Sequence, residues 1–517
     1  MIILKNLTYT SIYTVLFSSL IGFSFQASAD TSFKQLNANE QKKVFEQINK
    51  STSSVLTNHS LNSSAFNQSQ LKASEKSVKN TNINPNSKAY ALPCEAVQPE
   101  SLLLQNLQQK LKREPKQQTA IINQFWHDVQ QHGTPYVEKI DAENSRIIFL
   151  WNGPEHNVRL IGGPSNDHEW LTRLAGTNIW FKEAIVKNEF MGSYSFAVNV
   201  PLVDDYLTHY CPHLNPDLKE SRPQRRAVLQ VQKLDPYNPE RFIQASQKSS
   251  KSLRNENIVA LAQAPKFIDP RQYPNRVKPE LKTYSLESKV LNNSRTVQIY
   301  QSKKLNNNQD YITAIFFDGQ QYAELLDVPK AFDILVEQGK LPPIQAVFLS
   351  PPNDQERPKE LTPNIEFSEF FAKEFLPWLD QHLPNKRNKE KTVLLGSSLG
   401  GLSSAYLALE NPTEISHIVP MSGSFWWQAQ KTDLPNGMSK IIREKQKQPK
   451  QHWYVTANTY ESSRNNNELS ILETSPIVVK DLKDKGHQVE YKNYIGGHSY
   501  AIWQVVLQDA LLTLFKP

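Results

Sequence analysis

Glycine is scarce in this chain, 17 residues in 517, and cysteine scarcer still, with two. Two thiols exclude a disulfide-stapled scaffold, and neither a C-x-x-C pair nor H-E-x-x-H spacing occurs, so no metal site is legible. Cys94 and Cys211 can pair with each other in an oxidising compartment. Hydrophobic residues make up 38% of the chain, low for a polypeptide folded throughout, which predicts an unfolded part. Charge of one sign is not in great excess either. Lys and Arg number 58 against 51 Asp and Glu, a formal +7. So mild a balance suits the steering of an anionic ligand as well as plain solubility, and no nucleic-acid partner is expected.

Long apolar runs are also missing. The stretch from about 12 to 25 is short and diluted by Ser and Gly, too little for a membrane anchor. Lys5 is the only charge before Asp30, and Ala27-Ser28-Ala29 forms a small-residue cleavage site. Residues 1–29 therefore read as a cleavable secretory signal, with a periplasmic mature chain and no stable membrane anchor as the expectation. Without Lys5 the formal charge drops from +7 to +6. Residues 30–95, rich in Ser, Asn, Gln and Lys, read as a disordered leader with one helix around 40–48.

Periodicity starts near Pro99. Leu102, Leu103, Leu107 and Leu111 recur at helical spacing, as do Ile121, Ile122, Phe125 and Val129, until Gly133-Thr134-Pro135 stops the pattern. Short strands with turn residues between them follow: 146–151, 158–161, 179–185 and 194–198. They predict an N-terminal β-sandwich of immunoglobulin-like type. With a polar connector over 216–283, it makes a domain spanning 96–283. From residue 284 to 517 strands and helices alternate, which predicts an α/β domain with a mainly parallel sheet. In it a helix over 476–485 is expected, capped by Ser475 and ended by Gly486.

Against so little glycine, Gly396-x-Ser398-x-Gly400 stands out. Thr392-Val393-Leu394-Leu395 before it reads as a buried strand, and the apolar run through Ala405, Leu407 and Leu409 after it as a helix. Strand, tight turn and helix are the setting of a nucleophile elbow, whose strain demands small residues two before and two after the serine. Gly396 and Gly400 meet that demand for Ser398; no such pair flanks Ser397.

A seryl nucleophile needs a base and an acid to orient it, and in α/β-hydrolases the acid precedes a late histidine. His498 follows the strand 489–494 and the pair Gly496-Gly497, which lets the chain turn. His417 and His452 border strands and His487 follows a helix-ending glycine, so solvated positions suffice for these three. Glu461, six residues past the strand 453–455, is the candidate acid. Asp481 and Asp484 are expected on the wet face of a helix, and Glu490 is a weaker alternative. Backbone amides should cradle the oxyanion. Leu399 directly follows the nucleophile, and Gln320 ends the strand 312–317 after Asp318-Gly319.

Taken together these residues resemble the enterochelin esterases of the esterase-D-like α/β-hydrolases. The likeness runs through Phe317-Asp318-Gly319, Arg357 with Glu360-Leu361, the elbow, Met421-Ser422-Gly423-Ser424-Phe425-Trp426-Trp427 and Gly496-Gly497-His498. In the N-terminal part it includes 174–180, Gly192-Ser193-Tyr194-Ser195-Phe196 and Asp235-Pro236-Tyr237-Asn238-Pro239. The resemblance implies hydrolysis of a catechol-bearing tri-serine lactone, ferric or iron-free, with Ser398, His498 and Glu461 as triad. It further implies Arg357 beside the trilactone, Trp426 and Trp427 as aromatic walls, and no cofactor, iron arriving with the substrate. An esterase for feruloyl or acetyl groups on carbohydrate and a siderophore binder without activity are the alternatives.

Overall fold

The computed structural model describes residues 90–91, 93–164, 169–203, 222–242, 255–304, 310–430, 436–462 and 469–516. The expected signal peptide and nearly all of the expected leader lie outside the described residues. Everything described belongs to one compact unit, Lys88–Pro517.

Eight strands form the central sheet: β1 (Lys282–Ser288), β2 (Asn293–Gln301), β3 (Ile312–Phe317), β4 (Ile344–Leu349), β5 (Thr392–Ser397), β6 (His417–Met421), β7 (His452–Asn458) and β8 (Gln488–Tyr494). Their spatial order is β1-β2-β4-β3-β5-β6-β7-β8. β2 is antiparallel to β1 and β4, and every later pairing is parallel. This is the α/β-hydrolase arrangement the alternation of elements predicted. The run Ile312-Thr313-Ala314-Ile315-Phe316-Phe317 is apolar almost throughout because both faces of β3 are covered. Ile312, Ala314 and Phe316 join one core with the helices Val328–Glu337 and Tyr500–Leu514. Ile315 and Phe317 join the other, with Leu399–Glu410 and Ile471–Asp484.

Two sheets precede it. One holds Tyr136–Lys139, Asn144–Asn152, Ile179–Lys187 and Thr172–Arg173; the other is centred on Val158–Gly162, Met191–Val198 and Glu256–Ala260. The run Ile147-Ile148-Phe149-Leu150-Trp151 again serves two faces. Ile147, Phe149 and Trp151 meet Leu160, Tyr194 and Phe196 of the other sheet. Ile148 and Leu150 pack under the helices Leu102–Arg113 and Gln118–His132.

Several expectations need correction. The connector contributes to the sandwich: Glu256–Ala260 pairs with Met191–Val198, a five-residue strand too short to stand out among polar neighbours. Asp235 and Asn238 are not linker residues but buried partners of the Tyr194 hydroxyl, which donates to Asp235 Oδ2 at 2.8 Å and accepts from Asn238 Nδ2 at 3.1 Å. The late helix starts a turn early, at Ile471, under a reciprocal box between Ser470 and Glu473, and Pro476 sits inside it. Cys94 is in a disulfide. Cys211, the other cysteine of the chain, lies outside the described residues.

Candidate active site

β5 runs straight into the turn, and Ser398 holds φ 58° and ψ −121°, a conformation that L-residues rarely adopt. The flanking glycines are needed for space. A Cβ on Gly396 would stand 2.4 Å from the carbonyl carbon and oxygen of Gly400. Two more non-glycine residues with positive φ, Asp318 at 54° and Ser422 at 46°, lie where β3 and β6 end. Strain is thus gathered at the C-terminal edge of three adjacent strands, where open α/β sheets place ligands.

His498 and Glu461 meet at this same edge. Nδ1 of His498 lies 2.7 Å from Oε1 of Glu461. A carboxylate only accepts, so Nδ1 carries the proton and Nε2 is left with its lone pair. Glu461 is 1% exposed, and its Oε2 accepts the Asn458 amide at 2.7 Å. Asn458 ties three loops together. Its side-chain amide donates to Gly497 O at 2.9 Å and to Ser422 Oγ at 3.0 Å. Trp503 donates to the same Ser422 Oγ at 3.0 Å and stands edge-on to the His498 ring, centroids 4.8 Å apart.

Ser398 Oγ is not hydrogen-bonded to His498 here. Its partner is the buried Ser424 Oγ, 3.3 Å away, on the loop whose amide also donates to Ser398 O. Serine–histidine bonds in unliganded hydrolases are commonly long and tighten only with substrate. The Gln320 amide, the expected second oxyanion donor, is occupied too: it donates to Ser350 Oγ at 2.9 Å. Leu399 opens the helix Leu399–Glu410, where first-turn amides lack intrahelical partners.

Arg357 grips Asp318 with two hydrogen bonds of 2.6 Å, from Nε to Oδ1 and from its terminal amine to Oδ2. Burial works to lower the guanidinium's pKa, but the Asp318 carboxylate outweighs it and the net shift is upward. Asp318 itself is 1% exposed, beside Gly400. Arg357 is therefore committed to the floor of the elbow through two nitrogens. Trp426 is 49% exposed, whereas Trp427 is half-buried with its ring over Gly437.

Among the other candidates, Asp481 is not on a wet face: it is buried and paired with Arg443 at 2.9 Å. Glu490 is exposed on β8, and Asp484 pairs with Lys480. His417 and His487 are buried rather than solvated, and burial lowers both pKa values. Sequence reasoning missed Asp318, Ser422, Ser424 and Asn458 as parts of the site. The Ser-Gly-Ser run was visible, but nothing in it told which side chain would meet the nucleophile.

A strained seryl turn on a 1-2-4-3-5-6-7-8 sheet, with a late histidine bound to a buried carboxylate, defines an esterase of the α/β-hydrolase type. The model named "Putative esterase" matches residues 288–514, and "Enterochelin esterase, N-terminal" matches residues 146–267. The iron(III) enterobactin esterase of Dickeya dadantii is 25% identical over 410 residues, 74% of this chain and 91% of that protein. That of Yersinia enterocolitica is 27% identical, over 62% and 91%. The crystal structure of the ferric enterobactin esterase from Salmonella typhimurium superposes with TM-score 0.60 at 22% identity, covering 76% of this chain and 98% of that one. By these two matches and these relatives the chain is similar to the enterochelin esterases, and it is a carboxylic ester hydrolase.

Proposed function

We propose that this chain is a serine esterase that opens the trilactone ring of catecholate siderophores of the enterobactin kind, ferric or iron-free, acting in the periplasm after export. Ser398 Oγ bonds to the lactone carbonyl carbon while its proton passes to His498 Nε2. The oxyanion gathers on the amides of Leu399 and Gln320, the latter freed from Ser350. Glu461 stabilises the imidazolium, which protonates the leaving seryl oxygen of the ring as the ester C–O bond breaks. Water, deprotonated by His498, then bonds to the acyl carbon; the C–Oγ bond breaks, the imidazolium returns its proton to Ser398 Oγ, and the acyl group leaves as an acid that ionises to the carboxylate. Trp426 gives the catechols a face to lie on, and Arg357, two of its nitrogens held by Asp318, offers its remaining N–H donors to an oxygen of the substrate. The reading is supported chiefly by the 2.7 Å pair of His498 and Glu461 at the same edge of the sheet as a strained serine. It is also supported by alignment of most of the chain with proteins named iron(III) enterobactin esterase. The N-terminal Ala27-Ser28-Ala29 supports export.

Turnover of enterobactin and methyl ferulate at matched concentrations tests the substrate class. Rapid cleavage of enterobactin with little of the ferulate is expected. Cleavage of the ferulate alone would overturn the proposal in favour of a feruloyl esterase.

A further inference from the structure

The sandwich touches the large sheet through the loop that carries His498. Met191, first residue of its strand, sends its N–H away from the sandwich to Ile495 O, 3.0 Å, in a parallel bridge to Gly496. Gly496 O accepts from the Tyr460 amide at 3.0 Å, and the fully buried Phe190 ring stands edge-on to Tyr460, centroids 5.4 Å apart. Tyr460 directly precedes Glu461. The pair Gly496-Gly497 reads from sequence as a tight turn, yet neither residue has a positive φ. Contact explains them better. A Cβ on Gly496 would lie 2.7 Å from Met191 O, and one on Gly497 3.1 Å from Gly163 O, both sandwich backbone. At Gly496 and Gly497 the histidine loop leaves no room for a side chain against the sandwich backbone, while Ile495 just before them packs its side chain on the sandwich core.

We infer that the sandwich is part of the mount for the catalytic base, with Phe190 and Met191 as positioning residues that act through Tyr460 and the turn 495–497. The inference rests on the Ser398–His498 reading. His498 is exposed and, in that reading, has to present Nε2 to Ser398 Oγ, so contacts from the sandwich that fix its backbone bear on the rate. Misplacement by about 1 Å costs on the order of a hundredfold in rate.

The test compares Met191→Pro, which deletes the N–H to Ile495, with Met191→Ala, which keeps it; proline is tolerated at a strand's first residue. Phe190→Leu is the second probe. Two quantities are measured in the full chain: the rate at which a small fluorophosphonate labels Ser398, which needs the base, and enterobactin affinity in a Ser398→Ala background. Labelling at least about tenfold slower in Met191→Pro than in Met191→Ala is expected, with affinity within about twofold. Phe190→Leu should slow labelling without changing affinity. Equal labelling in the two Met191 variants, or affinity falling in step with labelling, overturns the inference. If Met191→Pro does not fold, Phe190→Leu decides by the same two readouts. A wild type that is labelled at Ser398 but leaves enterobactin intact would sink the substrate reading and leave the mount standing.

Discussion

Ser398, Asp318 and Ser422 hold backbone conformations that cost of order 1–3 kcal/mol each. Such strain persists where the surroundings over-determine it, and at Asp318 the surroundings are Arg357. Replacing Arg357 by Gln strands a carboxylate that is 1% exposed. We expect urea unfolding to show a loss of about 3 kcal/mol, the low end for a broken buried pair because the arginine is partly wet. An arginine that only met substrate would leave stability unchanged. Glu461→Gln removes the acceptor that fixes the His498 tautomer, and kcat on enterobactin should fall roughly 10²- to 10⁴-fold. A smaller drop would point to another acid. At this scale the sequence pointed to Ser398, His498 and Glu461 because spacing and chain order constrain them. Ser424, Ser422 and Asn458 escaped because their roles arise from loops meeting across three strands, which no local pattern encodes.

Elements follow from the two periods of the chain. β3 and β5 were legible since a strand buried on both faces needs an unbroken apolar run, and Ile312–Phe317 and Thr392–Leu395 supply one. Glu256–Ala260 was hidden because a half-buried charged end and an exposed end flank only three buried residues. The elbow's geometry makes Gly396→Ala severe. Its Cβ meets backbone, which cannot rotate away, so a fall in Tm of at least ~5 °C with loss of fluorophosphonate labelling is expected. At the other end of the sheet His417 and His452, first residues of β6 and β7, stack with ring centroids 4.9 Å apart. Burial, then the neighbouring His452, lowers His417 to about 4. The folded state thus resists a proton that the unfolded chain takes up near 6.5, so stability is full above that pH and is lost as pH falls toward 4. The loss is up to about 3 kcal/mol. Urea midpoints at pH 7 and pH 4.5 should differ more in the wild type than in His417→Gln. Equal differences would remove His417 from the acid response.

The whole molecule couples a sandwich to a hydrolase sheet through loops at the sheet's C-terminal edge. The change of pattern was legible, since short alternating strands give way to strand–helix alternation, with buried parallel strands from β3 onward. How the parts join was not. Gly496-Gly497 signalled a turn, and only the assembled fold reveals that sandwich backbone occupies the space a side chain would fill. The central claim is that Ser398 opens an ester by acyl transfer to itself and then to water. Incubation of enterobactin in ¹⁸O-labelled water, with mass spectrometry of the products, tests it most directly. The wild type should yield linear fragments with one ¹⁸O in each new carboxylate, and Ser398→Ala should leave the ring whole. Equal ring opening by both proteins would contradict the account.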